Sequence, residues 1–194
     1  MSSEKLPQES LRAHPRGALG GPRSHLGAEV GSLTQRIRDY ERQLEEISKE
    51  SYPQETDLLR QVEGIGPLTF VLTLEDPYRF ERSRSVGAYL GLVPASDRSG
   101  ERDPQKKRIS KEGDQMLRKL LVGSAHYILG PFGSDSDLRR HGQKIASRGG
   151  KNSKKRAVVA VARKLAVLLH SLWMSAEIYE PLRNAQRCCG GQAA

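Results

Sequence analysis

The sequence predicts a mainly α-helical protein: a coiled-coil helix followed by a helical domain that contains a helix-hairpin-helix. Three observations carry this. Val30, Leu33, Ile37, Tyr40, Leu44 and Ile47 recur at alternating steps of three and four, the spacing that gathers apolar side chains on one seam of a helix. Val62-Glu-Gly-Ile-Gly-Pro67 sets a Gly-apolar-Gly turn between two helical runs. Apolar residues return at helical period through 117–128 and 158–173, while strand-like alternation is scarce.

Taken in order, residues 1–27 carry Pro7, Pro15 and Pro22 without periodicity, and are expected to be disordered. Residues 28–56 are expected to form the coiled-coil helix, with Gln, Arg, Asp and Glu on its other faces. Only about two and a half heptads are present, so one amphipathic helix lying on its own domain satisfies the same spacing. Pro53 ends or bends this helix. A second helix, 55–62, enters the turn. There Gly64 and Gly66 are expected to take backbone angles closed to other residues, with Ile65 as an anchor. The free amides of the turn and of the next helix, 68–74, then suit a phosphate; a plain interhelical turn has the same composition. Asp76-Pro-Tyr-Arg-Phe80 reads as a turn and 83–90 as a short helix with Val86, Tyr89 and Leu90 inward. From 91 to 113 runs a loop rich in Ser, Gly, Pro and cations, the kind of segment in which polar chemistry concentrates. A helix then continues through Ile128, capped by Ser110 or Asp114. Glycines over 130–151 predict a loop, 153–179 a helix with a broad apolar face, and 183–194 a disordered tail.

The chain has 194 residues, a net charge of +9, a pI near 9.8, 36% hydrophobic residues and a mean hydropathy of −0.61. That composition leaves room for a core of roughly 100 residues between 58 and 182. The charge is clustered: Lys106, Lys107, Arg108 and Lys111 form one group, and Arg139, Arg140, Lys144, Arg148, Lys151, Lys154, Lys155 and Arg156 another. Such patches release counterions from nucleic acid and bind it without regard to sequence. DNA is the expected partner. Its candidate contacts are the amides of Gly64 and Gly66 and the cations Arg98, Arg102, Lys106, Lys107, Arg108, Lys111, Lys154 and Lys155. The two cysteines, Cys188 and Cys189, are adjacent and offer no metal spacing, so no metal site is expected. Residues 1–23 lack the apolar core of a signal peptide. The most apolar run, 157–173, is cut by Arg163 and Lys164, which argues against a membrane span. A cytoplasmic protein is expected.

These residues, in this order, resemble one family, the insertion-sequence "one-ten" transposases, which are bridge-RNA-guided recombinases. The resemblance rests on Val62-Glu-Gly-Ile-Gly-Pro67, Phe80, Gly87-Ala-Tyr-Leu-Gly-Leu-Val-Pro94, Ser99-Gly100, Ile109-Ser-Lys-Glu-Gly113, Leu117-Arg118 and Ala162-Arg-Lys-Leu165. It implies that 57–182 is a C-terminal transposase domain, and that Ser99 attacks a DNA phosphodiester and becomes joined to the broken strand. Covalent catalysis of this kind divides a strand transfer into two steps, and Arg98, Arg102, Lys106 and Arg108 would offset charge on the phosphate. Ser110 reads as a helix cap, Ser96 fits the motif less well, and His170 reads as a core residue. Arg118 suits either DNA or its own helix.

Family members begin with a RuvC-like domain whose four acidic residues bind divalent metal. This chain is expected to lack it, and Asp39, Glu41, Glu45 and Glu46, on polar helix faces, are no substitute. Mg²⁺ is therefore expected only through that domain, and no cofactor in this chain. The resemblance further implies a guide RNA, while the coiled coil implies a second copy of the chain. The expected function is DNA transposition, inactive without the RuvC-like domain. The alternatives are a non-catalytic DNA-binding remnant and a coiled-coil oligomerisation protein whose basic surface is incidental.

Overall fold

The computed structural model describes residues 21–95 and 108–184. Seven α-helices occur among them: α1 (Gly21–Ser51), α2 (Pro53–Arg60), α3 (Pro67–Leu74), α4 (Ser83–Tyr89), α5 (Gln115–Leu129), α6 (Asp137–Ala146) and α7 (Ser153–Ser175). Among the described residues there is no strand, and a single antiparallel bridge pairs Pro94 with Ile109. The mainly α expectation holds.

Helix α1 begins at Gly21 rather than at 28. Pro22 is tolerated because the first turn of a helix has no use for its missing N–H. Pro53 both closes α1 and opens α2 from its first turn. Contacts divide the chain into two units, residues up to Glu45 and residues from Glu46 onward. In the first unit Leu26, Val30, Leu33, Ile37, Tyr40 and Leu44 are 53–64% exposed. Leu26 extends the expected seam by one position, so that it reaches Ile47 over three heptads.

The second unit is organised around α7, against which α4, α5 and α6 pack. Val161, Ala162, Leu165, Ala166 and Leu169 of α7 are fully buried. They meet Leu117, Leu121 and Ala125 of α5, Phe70, Val71 and Leu74 of α3, and Val86, Leu90 and Leu92 from α4 and the segment after it. Each such leucine contributes about 1.5–3 kcal/mol. Helix α7 is long and apolar enough to cross a membrane by length and composition, yet ten of its side chains are buried within this fold. His170 is 1% exposed. Its Nε2 donates to the Pro77 carbonyl at 2.8 Å, which leaves Nδ1 to accept from the Ser83 hydroxyl at 3.0 Å. It is a core residue that ties α7 to the entry of α4.

The expected loop over 130–151 contains α6. Ser136 caps it by accepting from the Arg139 amide at 3.2 Å, and Leu138 and Gly142 are buried one turn apart. Gly142, which reads as a breaker in sequence, sits against Leu129 and Val161 where a side chain would clash; close packing is its role. Helix α7 stops at Ser175, where Ala176 turns left-handed (φ 52°), short of the expected 179. The following segment folds back: the Asp137 amide donates to Pro181 O at 2.7 Å, and Asn184 donates to the Asp137 carboxylate at 2.8 and 2.9 Å. Arg183 and Asn184, expected in the disordered tail, are both bonded: Asn184 to Asp137, and Arg183 through Nη1 to the Glu177 carboxylate at 3.1 Å. Residues 1–20 and 185–194 lie outside the described residues.

Candidate nucleic-acid interface

The loop after α4 stands on a two-legged stem. Residues 91–95 leave α4 and residues 108–113 return beside them. The Ala95 amide donates to Arg108 O (2.9 Å), Ser110 to Val93 O (2.9 Å) and Lys111 to Gly91 O (3.1 Å). Two glycines let the legs touch. Gly91 (φ 65°) presses on the Glu112 backbone and Gly113 (φ 80°) on the Tyr89 carbonyl, so that a β-carbon at either would overlap main-chain atoms. Residues 96–107 lie outside the described residues, and with them Arg98, Ser99, Arg102, Lys106 and Lys107. Arg108 and Lys111 are exposed on the returning leg, and Lys111 holds a left-handed φ of 61°.

Two side chains near the stem depart from expectation. Ser110 does not cap α5: its hydroxyl oxygen is buried and has no hydrogen-bond partner among the described residues. Asp114 is the cap, accepting from the Leu117 amide at 2.5 Å. Arg118, half-buried, reaches back to the main chain, and its Nη1 donates to Glu112 O (2.9 Å), Leu90 O (3.1 Å) and Asp114 O (3.4 Å).

The turn over 61–66 joins α2 to α3, and Ile65 packs on the core. Gly64 has φ 78° and faces the Tyr127 ring, 2.5 Å from where a β-carbon would stand. Gly66, expected to need glycine's freedom, has φ −90° in extended backbone, which any residue adopts. Tyr127 and Arg118 lie nine residues apart on α5, about 14 Å along its axis. The structure therefore sets the turn and the stem toward opposite ends of α5.

The third feature is the corner between α6 and α7. From 138 to 176 the chain has ten Lys or Arg residues and no Asp or Glu. Arg139 is occupied internally, its Nη1 donating to Ile128 O and Gly130 O at 2.6 Å each. Arg140 forks onto Asp135 at 2.6 and 3.0 Å, which holds that exposed carboxyl below its usual range. Lys154, Lys155 and Arg156 are exposed in the first turn of α7. A shallow cleft of about 290 Å³ beside them is lined by Ile145, Arg148, Gly149, Arg156 and Ala160. His141 registers the field. Burial first, then Lys164, Arg148 and Lys144, push its imidazole below the ordinary 6.5. Sequence spacing identified the cation-rich window, but not which arginines are spent inside it.

Among the described residues no group of three or more His, Cys, Asp or Glu converges to hold a metal ion.

Residues 56–136 match the family model described as "Transposase IS116/IS110/IS902 family". That segment begins in α2 and runs through the turn, the stem and α5. The chain is 32% identical over 158 residues to the "Transposase for insertion sequence element IS1111A" of Coxiella burnetii, which covers 79% of this chain and 42% of that protein. It is 32% identical over 161 residues to a "Probable family 20 transposase" of Pseudomonas aeruginosa, covering 80% and 46%. With the "Pilin gene-inverting protein" of Moraxella lacunata it shares 25% identity over 118 residues, 59% of this chain and 35% of that one. The chain thus spans less than half the length of these curated relatives.

Proposed function

Because the chain belongs to the IS116/IS110/IS902 transposase family, we propose that it acts in DNA transposition, holding the DNA backbone while Ser99 attacks a phosphodiester. In that step the serine Oγ–P bond forms as one bridging P–O bond breaks. The proton lost by the hydroxyl is balanced by one gained on the departing sugar oxygen. Arg98, Arg102, Lys106, Lys107, Arg108 and Lys111 stand in or beside the same loop, where cations offset charge on the phosphorus oxygens. Mg²⁺ belongs in this reading to a RuvC-like domain, and a guide RNA, with the same phosphate charge, suits the same cationic faces. A cytoplasmic location accords with the family.

One observation carries the backbone contact. Lys154, Lys155 and Arg156 occupy the first turn of α7, a 23-residue helix with no acidic residue there and no side-chain cap from Asn152. Cations at a helix N-terminus oppose the macrodipole. A local choice against stability marks a functional surface, and an external phosphate relieves the conflict. The Gly64 turn adds a second foothold.

The exposed seam of α1 supports association with a second copy. Its apolar residues Leu26, Val30, Leu33, Ile37, Tyr40 and Leu44 stand exposed at a/d spacing. Ile37→Lys is expected to convert the oligomer to monomer by light scattering; an unchanged mass would sink this part of the reading.

The chemistry is tested by covalent trapping. The chain is mixed with nicked element-junction DNA and Mg²⁺, with and without the RuvC-like domain and guide RNA of a longer relative. Ser99→Ala runs alongside on a denaturing gel. A protein–DNA adduct that needs Ser99 supports the reading. Salt-sensitive DNA binding without any adduct replaces it with a non-catalytic DNA-binding role, and binding that ignores salt removes nucleic acid altogether.

A further inference from the structure

We propose that Arg118 is a positioning residue for the 96–107 loop, and that its guanidinium locks the spacing of the two stem legs instead of contacting nucleic acid. This rests on the reading of Ser99 given above, but the geometry behind it lies wholly in described residues. Leu90 closes α4, and its carbonyl belongs to the last turn, which has no helical partner of its own. Glu112 lies on the returning leg, and Asp114 caps α5. One nitrogen of Arg118 donates to the carbonyls of all three. The departing leg, the returning leg and the start of α5 therefore share one donor group.

The surroundings leave little slack. Gly91 and Gly113 have no side chain to hold the stem open: Gly91 presses on main chain of the returning leg and Gly113 on main chain at the end of α4. Three amide bonds cross the stem between 91–95 and 108–111. Leu90, Leu92 and Leu117 beneath it are at most 2% exposed, so the platform itself is part of the core. Three carbonyl oxygens converge on Nη1 and hold that end of the guanidinium against the stem. Its reach and permanent charge suit this use. A serine nucleophile must be held to within a fraction of an ångström of a productive geometry. Fixing both feet of its loop is the means available to residues outside the loop.

The test compares Arg118→Ala and Arg118→Lys with the wild-type full-length chain. Amide hydrogen exchange at Ala95, Ser110 and Lys111 reads the stem, with Leu121 and Leu165 as core references. DNA affinity across a salt series and the rate of the Ser99-dependent adduct are read on the same proteins. In Arg118→Ala, stem exchange is expected to accelerate about tenfold or more while core exchange holds, because the opening is local. The adduct rate should fall at least about tenfold, with DNA affinity within about twofold of wild type and an unchanged salt slope. Arg118→Lys should recover part of the adduct rate; if Arg118→Ala fails to fold, this variant carries the comparison. Unchanged stem exchange overturns the proposal, as does a salt slope smaller by about one, which marks a lost phosphate contact. An adduct rate that falls only in step with global stability overturns it too. If wild type gives no adduct, the serine chemistry has failed instead, and stem exchange still decides whether Arg118 locks the loop.

Discussion

The stem of 91–95 and 108–113 and the corner at 148–156 are built from the same residue types, two left-handed glycines with neighbouring arginines, and put them to opposite uses. In the stem both glycines are enclosed by backbone and one arginine nitrogen is shared among three carbonyls. At the corner Gly149 (φ 74°) has nothing within 4 Å, and Gly150 (φ 94°) meets only the tip of Arg156 at 3.7 Å. Lysines stand exposed beside it. The difference teaches that a glycine and an arginine acquire a role from what surrounds them. Enclosed, they fix geometry; open, they leave charge available for a ligand.

The sharpest way to break this comparison is to put a methyl group on each kind of glycine. Gly113→Ala is expected to lose on the order of 3 kcal/mol or more in chemical denaturation, since both the overlap with Tyr89 O and the left-handed φ oppose it. A loss near that of an ordinary surface change would mean the stem is looser than described. Next in size is the corner's binding function. Lys154→Ala with Lys155→Ala is expected to weaken DNA about tenfold, equally for unrelated sequences, and to lower the salt slope by about two. The melting temperature should not fall, because both lysines oppose the dipole of α7. A sequence-selective loss would contradict backbone contact.

Smaller again is Gly149→Ala. With open space around it, only the backbone penalty of about 1 kcal/mol is expected, so a loss as large as that at Gly113 would erase the distinction between the two turns. The smallest effect concerns His141. Its folded-state pKa lies below the ordinary 6.5, so the unfolded chain binds the proton first. Its contribution to stability is therefore present above pH 6.5 and lost as pH falls from 6.5 through the folded value. His141→Gln should flatten that slope. DNA seated on the corner should raise the His141 pKa in an NMR titration, by neutralising Lys164, Arg148 and Lys144; no movement would place the DNA elsewhere.

Much of the molecule was legible in the chain. The helical class, the apolar face of α7 and the resemblance to the transposase family all followed from local pattern, because period and spacing are written residue by residue. The errors share a cause. Helix α6 hid behind Gly142, which reads as a breaker until Leu129 and Val161 are seen against it. Gly66 read as indispensable beside Gly64, yet only Gly64 has the left-handed angle. Of the two caps the spacing offered, Ser110 and Asp114, Asp114 makes the bond.

What the sequence determined by itself is therefore the set of elements and the amount of charge: heptads on α1, an apolar face on α7, and an acid-free run of cations from 138 to 176. What only the tertiary structure decided is the employment of each polar group. Arg118, Arg139 and Arg140 are as basic in sequence as Lys154 and Lys155. Nothing local tells that the first two reach carbonyls 28 and 11 residues away, because a hydrogen bond of that range exists only after the core has brought α4, α5 and α6 together.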